Sequence, residues 1–180
     1  MRMFVAIDLD QTVKDSIRSQ QLKAEFPHVK FVNPEQAHLT LVFMADAAPE
    51  RVLPALQHSI EMRPFDLAVG GLGAFPPCGA PRVLWLGLTG GAREVIALQR
   101  VVADRLTAVG VPLEDRAFHP HLTLGRWRQS RPSDRPSFSA EAKTIARMAV
   151  DHVTLYESRL SSEGPTHVAL TRAALEPWNQ

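Results

Sequence analysis

Four residues, His38-Leu39-Thr40-Leu41, recur unchanged as His121-Leu122-Thr123-Leu124, 83 residues further along the chain. Each block alternates polar and apolar residues, which is the period of a β-strand with one buried face. Side chains two apart on a strand leave from the same face. His38 and Thr40 therefore share one face, Leu39 and Leu41 the other, and the second block repeats the pattern. The leucine faces belong in a core. A fold that sets the two strands side by side gives one cleft two imidazoles and two hydroxyls, and the rest of the chain has to supply that scaffold.

The chain has 180 residues, 45% of them hydrophobic, which is enough to bury a core without cross-links. The single cysteine, Cys78, excludes an intramolecular disulfide framework and fits a reducing compartment, so a cytoplasmic location is expected. The segment from Met1 to Leu9 is too short for a signal peptide, and no apolar run approaches a membrane span, so no membrane partner is expected. A net charge of +1 provides no global field for long nucleic acid. A nucleic-acid partner would be gripped at one end or one phosphate.

Met3 to Leu9 is a short apolar run, expected as a buried strand. Asp10 is placed to cap a helix carrying Val13, Ile17 and Ala24 at helical spacing, which Phe26-Pro27 ends. Lys30 to Val32 is expected as a brief strand before an Asn33-Pro34 turn, and His38 to Met44 as the first motif strand. Asp46 and Pro49 mark a helix with Val52, Leu56 and Ile60 on one face, which Pro54 permits only if it falls in the first turn. Phe65 to Val69 is expected as a strand. Gly70-Gly71-Leu72-Gly73 lacks both the phosphate-loop lysine and the dinucleotide fingerprint, so together with Pro76-Pro77 it is expected as a flexible turn that reverses the chain. Strand Arg82 to Leu88 follows. Val95, Leu98, Val102, Leu106 and Val109 make one apolar stripe on a helix from Ala92 to Val109, with Gly110 as its stop. Phe118 to Trp127 holds the second motif, Arg128 to Ser137 an exposed loop, and Ala140 to Met148 a short helix. Val150 to Tyr156 and His167 to Thr171 complete the strands. Short connections between strands favour antiparallel pairing and an α+β fold. The repeated block suggests a duplicated lobe, although the halves share little identity beyond it.

An imidazole titrates near neutrality, so a pair can supply one general acid and one general base in a turnover. Opening a phosphodiester needs both, and hydroxyls beside them can hold the non-bridging oxygens as charge builds. A third H-x-T, His152-Val153-Thr154, lacks the turn or proline that precedes the other two, and is taken as a solvent-facing or cross-strand pair.

The chain resembles the 2H phosphoesterase superfamily, named for two H-x-T-x motifs, and within it the RNA 2′,3′-cyclic phosphodiesterases once called 2′-5′ RNA ligases. Besides the motifs, Arg2 to Ile7, Leu72 to Pro76, Pro81 to Trp85, Pro120 to Arg126 and Leu155 to Ser158 carry the likeness. The resemblance implies a single domain over residues 1–180, with two interleaved, pseudo-symmetric lobes of antiparallel sheet, helices outside and the active-site cleft between. It implies hydrolysis of RNA 2′,3′-cyclic phosphate ends, or of nucleotides bearing that group, to 2′-phosphates by a monomer that needs no metal or cofactor. His38 would be the proton donor and His121 the proton acceptor. Thr40, Thr123 and Arg126 would bind the phosphate, and a guanidinium suits that task. Strict alternation puts Arg126 on the leucine face, so its role requires a bulge or a strand end. Phe4 would either stack on the terminal base or sit in the core. His119 stands where the family commonly has another residue, and His167 where it often has Tyr; both bear on substrate preference.

Three other readings stay open on the sequence. The same residues could run in reverse, joining a cyclic phosphate to a 5′-hydroxyl as a 2′-5′ ligase. The chain could bind RNA ends without acting on them, against which stand the intact histidines. His38, His119 and His121 could converge on a metal, against which stands the lack of a CxxC, an HExxH or a carboxylate beside either motif.

Overall fold

The computed structural model describes residues 1–23, 26–114, 117–161 and 164–177. It is an α+β fold of two five-stranded sheets and three α-helices. The strands are β1 (Met3–Asp8), β2 (Val29–Phe31), β3 (His38–Met44), β4 (Ile60–Glu61), β5 (Phe65–Phe75), β6 (Val83–Gly90), β7 (Leu122–Trp127), β8 (Thr144–Val150), β9 (His152–Ser161) and β10 (Gly164–Glu176). One sheet runs β3-β1-β9-β10-β4 and the other β2-β7-β6-β5-β8. Pairing is antiparallel throughout, except that the two-residue β4 lies parallel to β10. Each sheet contains one motif strand.

The helices tie the sheets together. Helix α1 (Gln11–Lys23) follows a strand of the first sheet yet lies against β8 of the second. Its start is fixed as expected: Val13 donates its backbone N–H to Asp10 Oδ1 at 2.9 Å. Val13 and Ile17 are buried, whereas Ala24 lies outside the described residues. Helix α2 (Pro49–Ala55) is short. Helix α3 (Ala92–Ala108) follows a strand of the second sheet yet packs on β3 of the first, burying Val95, Leu98, Val102 and Leu106. Gly110 ends that run at φ 78°, a conformation glycine adopts without strain. One continuous core results, in which the motif leucines Leu39 and Leu122 are both fully buried.

Several sequence expectations are corrected. The glycines Gly70, Gly71 and Gly73 do not reverse the chain; they lie inside the long strand β5, and the reversal falls at Pro76-Pro77, between β5 and β6. A Cβ on Gly70 would collide with the Lys143 carbonyl, and one on Gly73 with the Trp85 ring, so glycine is there to let neighbours approach. The register also shifts at this point against both β6 and β8. In place of the helix expected over Ala140 to Met148, residues 144–150 form strand β8, because pairing with β5 outweighs local helix propensity. Helix α2 stops at Ala55, directly after Pro54, which is beyond the first turn, and Ile60 sits on β4 instead of the helix. Strand β9 starts at His152 rather than Val150, and β10 extends well past Thr171.

Candidate active site

Both motif strands carry a bulge at the same motif position. Along β1 and β3, Thr40 opposes Ala6 and Val42 opposes Val5, which leaves Leu41 unopposed. Along β6 and β7, Thr123 opposes Trp85 and Gly125 opposes Leu84, which leaves Leu124 unopposed. An extra residue in one strand swaps the facing of everything beyond it. Phe43 and Arg126, each five residues after its motif histidine, are thereby returned to the histidine–threonine face. The second bulge is held in place: the Leu124 carbonyl accepts from the Val32 backbone N–H at 2.9 Å and from Gln21 Nε2 at 3.3 Å. Gly125 allows β2 to close over it, since a Cβ there would press on Val29 and Lys30.

Thr40, Phe43, His121, Thr123 and Arg126 line one cleft of about 660 Å³. The structure thus brings both hydroxyls, one imidazole and the guanidinium together. His38 stands two residues before Thr40 on the same strand and lines the adjoining pocket, with Phe4, Tyr156, His167 and Arg172. Phe43 escaped the sequence reading. Its signal was the match between His38-to-Phe43 and His121-to-Arg126, position by position.

The two imidazoles are oriented alike. His38 Nδ1 lies 2.8 Å from the Gln36 carbonyl and His121 Nδ1 lies 2.7 Å from the His119 carbonyl. A carbonyl oxygen only accepts, so Nδ1 carries the proton in both rings and proton exchange falls to Nε2. In each case the partner is the carbonyl two residues earlier, on the turn or proline-bearing approach that precedes the motif. Each ring also has an aromatic wall. His38 stacks on Phe4 with centroids 4.6 Å apart, and His121 meets Phe75 edge-on at 5.0 Å.

Phe4 does not have the open face that stacking on a base requires. The sheet order β3-β1-β9 puts His38 on one side of its ring and Tyr156 on the other, the latter stacked at 5.2 Å, while His167 closes the edge at 4.9 Å. Phe4 is 3% exposed. It is a wall that fixes the His38 ring. Phe43 is only half-buried and faces the cleft, with the Arg2 guanidinium 4.8 Å from its centroid.

Burial pushes the His38 imidazole down to about 4, partly opposed by its bond to the Gln36 carbonyl. His167, edge-on to His38 at 5.2 Å, lowers it further, whereas the nearby Asp8 carboxylate raises it. Asp8 opposes His38 in the β1–β3 register. Burial alone would raise the Asp8 carboxyl, but hydrogen bonds from Tyr156, Thr154 and His152 hold it below the usual carboxylate range. Those bonds measure 2.6 Å from Tyr156 OH, 2.7 Å from Thr154 Oγ1 and 3.0 Å from His152 Nε2. The third H-x-T is thus a cross-strand clamp from β9 onto β1. His119 lines the cleft and meets Phe75 and Trp85 edge-on at 5.3 Å each. Among the described residues, no three His, Cys, Asp or Glu side chains are grouped so as to hold a metal ion, and the convergence of His38, His119 and His121 is not found.

Residues 10–162 match the family model of the 2′-5′ RNA ligase superfamily. The chain belongs to that superfamily. Among curated relatives it is 31% identical over 174 residues to the RNA 2′,3′-cyclic phosphodiesterase of Archaeoglobus fulgidus, covering 93% of this chain and 96% of that one. It is 34% identical over 187 residues to the enzyme of the same name from Thermus thermophilus, covering 97% and 90%. Among solved structures, a Thermus thermophilus protein superposes with a TM-score of 0.79 at 27% identity, covering 99% of this chain and all of that one. E. coli LigT superposes at 0.76 and 28% identity, covering 97% and 96%. LigT has been solved with 3′-AMP, ATP, NADP+ and phosphate. The fold of this superfamily member is therefore the 2H phosphoesterase fold. Among the described residues no helix is long and apolar enough to cross a membrane.

Proposed function

We propose that this protein is an RNA 2′,3′-cyclic phosphodiesterase that opens the ring to a 2′-phosphomonoester without a metal. The observation that carries the reading is the matched pair of imidazoles, each with Nδ1 held by the carbonyl two residues before it. Such a pair gives one nitrogen to take a proton from water and one to give a proton to the leaving oxygen. In this reading His121 Nε2 accepts the proton of the attacking water, and His38 Nε2 protonates the 3′ oxygen as its bond to phosphorus breaks. Thr40, Thr123 and Arg126 line one cleft, which suits them to hold the non-bridging oxygens as charge builds. The relatives named as cyclic phosphodiesterases, matched over nearly the whole chain, support the same substrate class. Phe43, rather than Phe4, is the apolar surface on which the terminal base would lie.

The test is turnover of a 2′,3′-cyclic mononucleotide in EDTA by His38→Ala and His121→Ala. Each is expected to lose about 10²–10⁴-fold in kcat, the worth of one general acid or base, with circular dichroism unchanged. Thr40→Val and Thr123→Val should lose less, since each removes one hydroxyl. Full activity in either histidine variant would overturn the two-histidine reading.

A further inference from the structure

We propose that the pocket on the His38 side of the cleft is a subsite for the penultimate phosphodiester of a polynucleotide 3′ end, so that the protein favours RNA ends over cyclic mononucleotides. The inference rests on the reading above, in which the reacting phosphate lies among Thr40, Thr123 and Arg126. His38 and Thr40 leave the same face of β3 two residues apart, about 7 Å along the strand. The His38 pocket is therefore next to the reacting phosphate. In a polynucleotide 3′ end, the next phosphate is one sugar away from the cyclic one. The pocket measures about 380 Å³, within the size range of ligand sites.

Its charges are arranged for an anion. Four charged side chains line it: Asp8, Glu35, Lys14 and Arg172. The two carboxylates are already engaged by short bonds. Asp8 accepts from Tyr156, Thr154 and His152, and Glu35 accepts from Arg18 at 2.7 Å. The two cations are not so engaged. Lys14 comes no nearer than 3.8 Å to Glu35, and Arg172 no nearer than 3.8 Å to Asp8. Neither side chain donates a hydrogen bond among the described residues, and the Arg172 side chain is 65% exposed. An ammonium and a guanidinium with donors to spare, held loosely beside carboxylates that take their short bonds from other residues, are what a phosphodiester monoanion would recruit. The aromatic rings of this pocket are engaged with one another: Phe4 between His38 and Tyr156, with His167 on its edge. Phe4, closed on both faces, offers no platform for a base, and the recognition assigned to this subsite is of charge.

The experiment compares a dinucleotide ending in a 2′-phosphate with a mononucleoside 2′-phosphate, by calorimetric binding, and their 2′,3′-cyclic forms by kcat/KM. The wild-type protein is expected to favour the dinucleotide about tenfold or more, the scale of one charge-assisted contact. Arg172→Gln and Lys14→Gln should each reduce that ratio towards one, and a neutral methylphosphonate linkage in the dinucleotide should do the same to the wild type. Raising salt should erode the preference, because it comes from a phosphate contact. A wild-type ratio within twofold of one would overturn the subsite. So would an equal loss on both ligands in both variants, which would make the two cations mere braces for Asp8 and Glu35. Absence of turnover on both cyclic forms with the binding ratio intact would sink the phosphodiesterase reading and still support the subsite.

Discussion

In the proposed mechanism His38 is the general acid and must hold a proton when it acts, yet burial pushes the resting imidazole down to about 4. At neutral pH it is deprotonated before substrate arrives. The cyclic phosphate itself can supply the missing proton affinity. A unit negative charge about 4 Å from an imidazolium, at an effective dielectric constant of about 20, stabilises the charged form by about 4 kcal/mol. At about 1.4 kcal/mol per pKa unit this is close to three units, which brings His38 to about 7 in the complex. The sign carries through to binding. The complex holds the proton more tightly than the free protein, so affinity for the cyclic phosphate should fall as pH rises from about 4 towards about 7, roughly tenfold per unit. The cyclic phosphate stays a monoanion across that window and adds no titration of its own. The assay is nitrogen-detected NMR titration of the His38 ring in the His121→Ala protein, which should not turn the ligand over, with and without a 2′,3′-cyclic nucleotide. A pKa near 4 in both states would refute the reasoning, and the donor would have to be sought elsewhere in the cleft.

Two substitutions test neighbouring parts of the account. Arg126→Lys should lose nearly as much kcat/KM as Arg126→Ala, because an ammonium cannot reproduce a two-pronged guanidinium contact; full activity in the lysine variant would mean that Arg126 supplies charge alone. Gly70→Ala should lower stability by about 2 kcal/mol or more, since its Cβ would meet the backbone carbonyl of Lys143 inside the β5–β8 pairing; an unchanged Tm would mean that the glycine run is the open turn its composition suggests.

The polar–apolar alternation of the two H-L-T-L blocks was enough to place Leu39 and Leu122 in the core and Thr40 and Thr123 in the cleft. It failed where tertiary contact outweighed local pattern. Gly70 to Gly73 looked like a turn because the sequence does not show that Lys143 and Trp85 press on that backbone from neighbouring strands. Ala140 to Met148 reads as helical because β5, the partner of residues 144–150, is distant in sequence. Given the phosphate role that the resemblance implies for Arg126, parity called for a bulge or a strand end before it, but the twin bulge at Leu41, and with it the facing of Phe43, emerged only from the register of β1 against β3. Phe4 on the first strand could have been exposed or buried. The strand order, which no local pattern encodes, placed His38 and Tyr156 on its two sides. The His38 pocket was illegible for the same reason, since Lys14, Glu35 and Arg172 come from segments far apart in the chain.

The central claim is that two fixed imidazoles open a cyclic phosphate in one geometry, without a metal. Its most direct test is phosphorus NMR of the product formed from a 2′,3′-cyclic mononucleotide in the presence of EDTA. An acid at the start of β3 and a base immediately before β7, each fixed in place, leave only one ring oxygen in line with the activated water. A single isomer, the 2′-phosphate, is the predicted result. A mixture of 2′- and 3′-phosphates, or loss of turnover when EDTA is added, would contradict it.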